Sequence, residues 1–185
     1  RLITEDRVEK VLDWGDRGVV GIMSEEVMDR AGNLVCTLKG THWHRAYGNF
    51  GGEKYVSPKV EYPDRAPDWQ ASEYLAENQA ALYRLSGDTY PVHIDPAVSQ
   101  KRGYPRPFMQ GLGTIGFTTR MAVQAIIPYQ PERVTRVYAQ MRKVCVPGQN
   151  VTLKAWRISD GHVHFKLEND NGDLLLGNGI FEYKV

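Results

Sequence analysis

The sequence predicts an α+β fold in which an antiparallel sheet wraps around one central helix. The helix is predicted over residues 111–127, where apolar side chains point in nearly every direction around the axis. Four strand-like stretches follow it. Two of the three connections between them contain Asp-Gly or Asn-Gly, the pairs that favour tight antiparallel hairpins. Because a helix that is apolar on most sides must be covered on most sides, the sheet is expected to curl around it.

The four strands are predicted from alternating or continuous apolar patterns that end at turn residues. Their expected bounds are 133–146, 151–159, 162–168 and 174–183. The connections between them are Pro147-Gly148, Asp160-Gly161 and Asn171-Gly172-Asp173. An antiparallel sheet curled around one helix is the hotdog fold, and we expect residues 72–185 to form one complete copy of it.

A further helix is predicted at the start of this region. Ser72 is a suitable N-cap, residues 73–85 are mostly good helix formers, and Ser86-Gly87 ends the pattern. The buried side of this helix is expected to consist of Leu75, Leu82 and Leu85.

The N-terminal region, residues 1–52, predicts strands and no long helix. Short apolar or alternating runs cover 18–23, 26–28 and 34–43, and residues 29–33 supply a turn with Gly and Asn. Residues 53–71 combine several Pro residues with charges and no periodicity, which predicts an ordered linker. We therefore expect residues 1–52 to be a partial N-terminal hotdog half that lacks its helix.

Composition excludes several classes of function. The 23 basic and 22 acidic residues leave a formal net charge of +1, so no extended field of one sign is expected to attract nucleic acid or an anionic membrane. The longest apolar stretch, 114–127, is too short and too polar to span a bilayer. Cys36 and Cys145 match no metal-ligand spacing and are expected to be reduced thiols. Recognition of a phosphate group would then depend on a few local Lys, Arg and backbone groups.

The candidate catalytic residues lie on one loop and at one helix start. Asp88 and His93 flank Pro91, which stiffens a turn that can hold a carboxylate and an imidazole around one water molecule. Gly111 opens the predicted central helix, where unpaired N–H groups can polarise a carbonyl oxygen. Hydration of an enoyl thioester needs these three elements: an activated water, a proton and an oxyanion site.

Each of these residues also has a structural explanation when it is taken alone. Asp88 could cap a turn and His93 could be a packed core histidine; the combination with Gly111 favours catalysis. Asp95 precedes a proline and is expected to be structural. The pairs His42/His44 and His162/His164 have the spacing of a strand face, but no third ligand lies near either pair. They are expected to face solvent, so no metal site is predicted.

The loop sequence resembles a known family. Ser86-Gly87-Asp88, Pro91 and His93-Ile94-Asp95-Pro96 resemble the hydratase 2 motif of the MaoC-like dehydratases. Residues 78–88 and the Pro147-Gly148-Gln149 turn are especially similar to the hydratase unit of the peroxisomal multifunctional enzymes of type 2. The resemblance implies (R)-specific hydration of trans-2-enoyl-coenzyme A in fatty-acid β-oxidation. It also implies a catalytic Asp88 and His93, an oxyanion donor at the amide of Gly111, and paired hotdog halves.

The resemblance also implies a substrate pocket, in which this chain departs from the family at several positions. Tyr90 stands beside Pro91 where the family usually has Asn, and Gln110 stands where it usually has His. Trp14 replaces a Lys that lies near the acyl-CoA in relatives, and Arg17 is the candidate to substitute for it. The resemblance further assigns Met141 to the apolar pocket wall and Lys143 to a phosphate contact.

Three hypotheses follow, the first being an enoyl-CoA hydratase that needs no cofactor beyond the coenzyme A of its substrate. The second is a dehydratase of carrier-protein-bound acyl chains. The third is a catalytically silent acyl-CoA-binding or scaffold module. A homodimer is expected because exposed strand edges favour association. No targeting signal is visible, so a peroxisomal location is implied by the resemblance alone, with the cytoplasm as the alternative.

Overall fold

Two antiparallel sheets dominate the structure, a computed structural model that describes every residue from Arg1 to Val185. The chain divides into two units, Arg1–Pro58 and Lys59–Val185, each with its own sheet. None of the helices has the length and apolarity needed to cross a lipid bilayer.

The N-terminal unit is a three-stranded meander. Its strands are β1 (Ile3–Asp13), β2 (Val19–Met28) and β3 (Leu34–His44), paired in the order β1-β2-β3. The predicted turn between β2 and β3 is confirmed, since the Asp29 carboxylate accepts the N–H groups of Ala31 at 2.8 Å and Asn33 at 2.9 Å. The two short runs predicted at 18–28 form the single strand β2. Strand β1 is not predicted from the sequence, because its charged residues obscure the alternation of apolar and polar side chains.

One buried carboxylate stabilises the loops of this unit. The Asp13 side chain has no solvent-exposed area, and its Oδ1 accepts the N–H groups of Gly15 at 2.8 Å and Asn49 at 2.9 Å. Its Oδ2 accepts the N–H of Gly51 and the ammonium of Lys54, both at 3.0 Å. These donors, with the Gly15 N–H first among them, hold the pKa of Asp13 far below its ordinary range.

We expect Asp13→Asn to lower the Tm by at least ~5 °C. In the variant, the amide NH2 group takes the place of Oδ2 and meets the Gly51 N–H and the Lys54 ammonium, which are donors that it cannot accept. A carboxylate with a lowered pKa stabilises the fold above the unfolded-state pKa of about 3.9, and this contribution is lost only as the pH falls through the folded-state value. The Tm difference between wild type and variant should therefore be the same at neutral pH and at about pH 5. Calorimetry at both pH values checks this, and a difference that disappears at the higher of the two would contradict it.

The C-terminal unit packs a five-stranded sheet against one long helix. Its strands are β4 (Trp69–Leu75), β5 (Val134–Met141), β6 (Gln149–Ser159), β7 (His162–Asn169) and β8 (Leu174–Tyr183), and its helices are α1 (Gln79–Arg84), α2 (Pro96–Lys101) and α3 (Gly111–Ile126). The sheet order is β4-β6-β7-β8-β5, with every pair antiparallel. Alternate residues of β7, namely Val163, Phe165 and Leu167, are buried in the core that also contains Met121 of α3. This arrangement confirms the predicted α+β class.

The helix predicted over residues 73–85 is wrong for its first half. Residues through Leu75 form strand β4, which begins inside the expected linker and pairs with β6. Ser72 does not cap a helix; its hydroxyl lies 2.8 Å from that of Thr152 on β6. Sheet pairing overrides the local helix propensity here, since burial alternates along the segment and ends at the buried Leu75. Only α1 remains helical, and the expected buried residues Leu82 and Leu85 are 50% and 81% exposed.

The central helix is confirmed in its bounds and corrected in its burial. Helix α3 begins at Gly111, as predicted, and ends at Ile126. It is not covered on every side, because Leu112 is 69% exposed. Thr114 and Thr118 are buried instead, with hydroxyls that donate to the carbonyls four residues earlier, at 3.1 and 2.8 Å. The predicted strand 133–146 is also shorter, ending at Met141.

Candidate active site

The loop after α1 presents the predicted acid. Gly87 adopts a φ of +118°, a conformation that side-chain-bearing residues rarely adopt, and its N–H donates to the carbonyl of Arg84 at 3.1 Å. The reversal leads directly to Asp88, which is exposed. The Asp88 carboxylate accepts the N–H of Tyr90 at 3.2 Å, so one oxygen is oriented while the other is available to a ligand.

The predicted imidazole is anchored from the opposite side. His93 ends a short 3-10 turn that begins at Pro91, and its ring is half-buried. Its Nδ1 lies 2.9 Å from the carbonyl oxygen of Phe108. Because a carbonyl only accepts, Nδ1 bears the proton and Nε2 of the neutral ring has a free lone pair. The Phe108 ring packs edge-on at 5.0 Å and the Tyr90 ring at 6.0 Å, which fixes the imidazole plane.

Two independent anchors therefore hold the acid and the imidazole. No hydrogen bond joins Asp88 to His93; the Tyr90 amide orients the first and the Phe108 carbonyl the second. The next acidic residue, Asp95, is structural as predicted. Its carboxylate caps α2 by accepting the N–H of Ala97 at 2.8 Å.

Gly111 and Met141 are brought together by the packing of α3 on the sheet. A Cβ added to Gly111 would collide with the thioether of Met141, so this side chain lies directly over the glycine. Gly111 is the first residue of α3, where the backbone N–H has no partner within the helix. The predicted pocket residue and the predicted oxyanion donor are thus neighbours.

Gln110, at the N-cap position of α3, is one of the most buried polar residues. Its Nε2 donates to the Ala80 carbonyl of α1 at 3.2 Å, whereas its Oε1 is buried without a partner. The Gln110 side chain therefore links α1 to the start of α3, while its Oε1 is an acceptor without a hydrogen bond. Leaving a buried acceptor without a hydrogen bond costs about 1–3 kcal/mol.

A cavity of about 200 Å³ adjoins His93. Its wall includes Glu77, Ala80, Ala81, His93, Arg106 and Pro147. Neither Asp88 nor Gly111 is part of this wall. Arg106 was not among the predicted residues, although it lies between two prolines in the same stretch as Gln110 and Gly111. It is an exposed cation beside the imidazole and could have been found from that position.

Tyr90 forms one edge of the loop. Its ring is 43% exposed, and the guanidinium of Arg102 from the end of α2 lies 5.3 Å from the ring centroid. A cation over an aromatic face stabilises the orientation of both groups. The position that the family usually fills with Asn is therefore occupied by a ring held between Arg102 and His93.

The remaining predicted residues have other partners or belong to the other unit. Lys143 forms an ion pair with Asp173 and lowers the pKa of that carboxyl, so its charge already has a partner. Trp14 and Arg17 belong to the N-terminal unit, where the Arg17 guanidinium lies 5.0 Å from the Trp14 ring centroid. The roles assigned to these three residues stay predictions.

No group of three or more His, Cys, Asp or Glu side chains is arranged to hold a metal ion. The chemistry available at the loop is that of an oriented carboxylate, an imidazole with a free Nε2 and a helix N-terminus.

Comparisons with known proteins identify the family of this chain. The family model for the MaoC like domain matches residues 58–173. The chain is 34% identical to the peroxisomal multifunctional enzyme type 2 of Drosophila melanogaster over 84% of this chain and 27% of that protein. It is also 34% identical to the enoyl-CoA hydratase ChsH3 of Mycobacterium tuberculosis over 81% of this chain and 53% of the relative. The chain thus spans about a quarter of the first relative and about half of the second.

The fold has a solved counterpart. The structure of the full-length Drosophila enzyme superposes on this chain with a TM-score of 0.87 and 29% sequence identity. The superposition covers 99% of this chain and 34% of the Drosophila chain. The match confirms the predicted hotdog fold.

Proposed function

The chain belongs to the MaoC-like domain family, and from this premise we propose that it is an (R)-specific 2-enoyl-CoA hydratase of fatty-acid β-oxidation. The reaction adds water reversibly to a trans-2-enoyl-CoA to give a 3-hydroxyacyl-CoA. The observation that supports it best is the placement of His93. Its Nδ1 is anchored to a backbone carbonyl and its ring lines a cavity. Asp88 precedes the short 3-10 turn that ends at His93.

In the proposed mechanism, a water molecule binds between the Asp88 carboxylate and the free Nε2 of His93. Asp88 accepts a proton from the water as the water oxygen forms a bond to C3 of the enoyl thioester. The C2–C3 double bond breaks, and the electron pair moves towards the thioester oxygen, where the N–H of Gly111 stabilises the developing charge. The proton released by the water then forms a bond to C2 as the electron pair returns from the thioester oxygen, which restores the Asp88 carboxylate and completes the addition.

Coenzyme A is part of the substrate, and the proposed reaction uses no separate cofactor. The substrate is an acyl-CoA of medium or long chain, and Arg106 is the exposed cation on the cavity wall that suits its phosphate groups.

A peroxisomal location and a homodimer remain part of the proposal, the former supported by relatives named as peroxisomal enzymes.

The direct test is the loss of enoyl-thioester absorbance when the purified full chain is mixed with trans-2-decenoyl-CoA. We expect turnover, with a 3-hydroxydecanoyl-CoA product of R configuration on a chiral column. Tight binding of the substrate without turnover would instead identify a silent acyl-CoA-binding module. Turnover only of a carrier-protein-bound enoyl chain would identify the dehydratase.

Gly111→Ala is expected to lower kcat by at least ~10-fold and leave the fold intact. The added Cβ displaces the Met141 thioether, which is half-exposed and flexible, and crowds the space where the thioester oxygen would meet the amide. The matched control is Gly116→Ala in the same helix, where an added Cβ meets nothing within 4 Å. The control should keep full activity and gain up to about 1 kcal/mol of stability from helix propensity. Equal kcat values for the two variants would contradict the role of the Gly111 amide.

A further inference from the structure

Two histidines lie together on the face of the C-terminal sheet opposite the core. His162 and His164 alternate along β7 with Val163 and Phe165, which are buried to 0% and 1% exposure. The imidazole nitrogens Nε2 of the two histidines are 3.1 Å apart. Both rings are partly exposed, so this pair is accessible from solvent. Neither histidine is part of the proposed hydratase site.

Hydrogen-bond partners fix the proton on the other nitrogen of each ring. The Nδ1 of His162 lies 3.0 Å from Oε1 of Glu182 on β8. The Nδ1 of His164 lies 2.8 Å from the carbonyl oxygen of Glu61. A carboxylate and a carbonyl are acceptors only, so both Nδ1 atoms must be donors.

This assignment leaves the Nε2 atom of each ring unprotonated and close to that of the other ring. A neutral imidazole with a protonated Nδ1 has an unprotonated Nε2. Two such atoms at 3.1 Å repel each other unless a positive centre lies between them. That centre is either one shared proton or a metal ion that accepts both lone pairs.

We propose that His162 and His164 form a binding site for a divalent transition-metal ion such as Zn²⁺, Ni²⁺ or Cu²⁺. Two Zn–N bonds of about 2.0–2.1 Å at a tetrahedral angle place the nitrogens about 3.3–3.4 Å apart, close to the separation in the apo site. The remaining coordination positions open to solvent and take water. Imidazole nitrogen is a preferred ligand for all three metals.

The surroundings have the features of a metal site. Ligating histidines usually donate their second N–H to a carboxylate or a backbone carbonyl, which fixes the ring and raises its basicity. Glu182 and the Glu61 carbonyl supply both kinds of partner here. The cations on this face are themselves paired, Arg136 with Glu182 at 3.4 Å and Lys166 with Glu168 at 2.6 Å.

Metal binding would also stabilise the segment that crosses this face. His164 binds the backbone of Glu61, and the neighbouring Tyr62 hydroxyl donates to the Phe165 carbonyl at 3.0 Å. Because a ligand that binds only the folded state raises the Tm, bound metal should add thermal stability.

The test is isothermal titration of ZnCl2 into the chelator-treated full chain near neutral pH, with the Tm measured in parallel. We expect one zinc per chain, a higher Tm with zinc, and at least ~10-fold weaker binding for either His162→Ala or His164→Ala. Glu182→Gln keeps an acceptor but removes the charge, and should weaken binding about 10-fold.

The chain supplies a matched control. His42 and His44 have the same spacing on β3, but the His42 ring lies over Gly40 and makes no hydrogen bond with His44. The double variant His42→Ala/His44→Ala should bind zinc like wild type. The proposal is overturned if wild type binds no zinc, which would leave a shared proton between the rings. Binding that is lost in the control variant but kept in His164→Ala would overturn it equally.

Discussion

Asp88→Asn is expected to lower kcat for enoyl-CoA hydration by at least ~100-fold without a change in Tm. An amide cannot accept the proton of the attacking water, so the step that forms the C3–O bond loses its base. The fold should not change, because the side chain is exposed and an Asn oxygen can still accept the Tyr90 N–H that Asp88 accepts now. Steady-state kinetics with trans-2-decenoyl-CoA measure the effect, and circular dichroism checks the fold.

The same substitution seven residues further along the loop is the control. Asp95→Asn keeps an oxygen that can cap α2, since Asn and Asp are about equally good N-caps. We expect this variant to retain wild-type kcat. If Asp88→Asn were as active as Asp95→Asn, the base would have to be another group and the proposed mechanism would be wrong.

The sheet of the C-terminal unit could be predicted from sequence because its turns are local signals. Asp160-Gly161 and Asn171-Gly172 both form the hairpins that they predict, and both glycines adopt positive φ values of 69° and 75°. The turn residues determine the register of these strands before any distant contact forms. Two adjacent hairpins therefore placed β6, β7 and β8 in the correct order.

Elements that depend on distant partners could not be predicted in the same way. Residues 73–75 have a helical composition but extend β4, because β6, more than 70 residues later, offers an open edge. The position of β5 beside β8, rather than beside its sequence neighbour β6, likewise depends on the closure of the sheet over α3. No short window of sequence contains that information.

The candidate site divides along the same line. Asp88, Pro91 and His93 lie within six residues, so one loop motif was enough to predict them together. The anchor of His93 is a backbone carbonyl, that of Phe108, which has no signature in the side-chain sequence. The ion pair of Lys143 with Asp173 and the neighbouring nitrogens of His162 and His164 depend on how the strands pack and on side-chain rotamers. A sequence pattern contains neither.

The anchor of His93 leads to the second large effect. In His93→Asn, the side-chain NH2 can take the place of Nδ1–H and donate to the Phe108 carbonyl, but nothing replaces Nε2. We expect kcat to fall by at least ~100-fold while the loop stays in place. In His93→Gln, the longer side chain can place a polar atom near Nε2, but the bond to Phe108 is lost.

The two variants separate chemistry from positioning. If Nε2 acts on the water, His93→Asn should lose kcat with little change in KM, because the loop and the cavity wall are preserved. His93→Gln should keep more kcat and show a lower Tm, since the Phe108 carbonyl is left without its donor. Steady-state kinetics of hydration and thermal denaturation of both proteins measure these quantities. If His93→Asn were the more active of the two, the imidazole would act by fixing the loop, and the water would be activated by Asp88 alone.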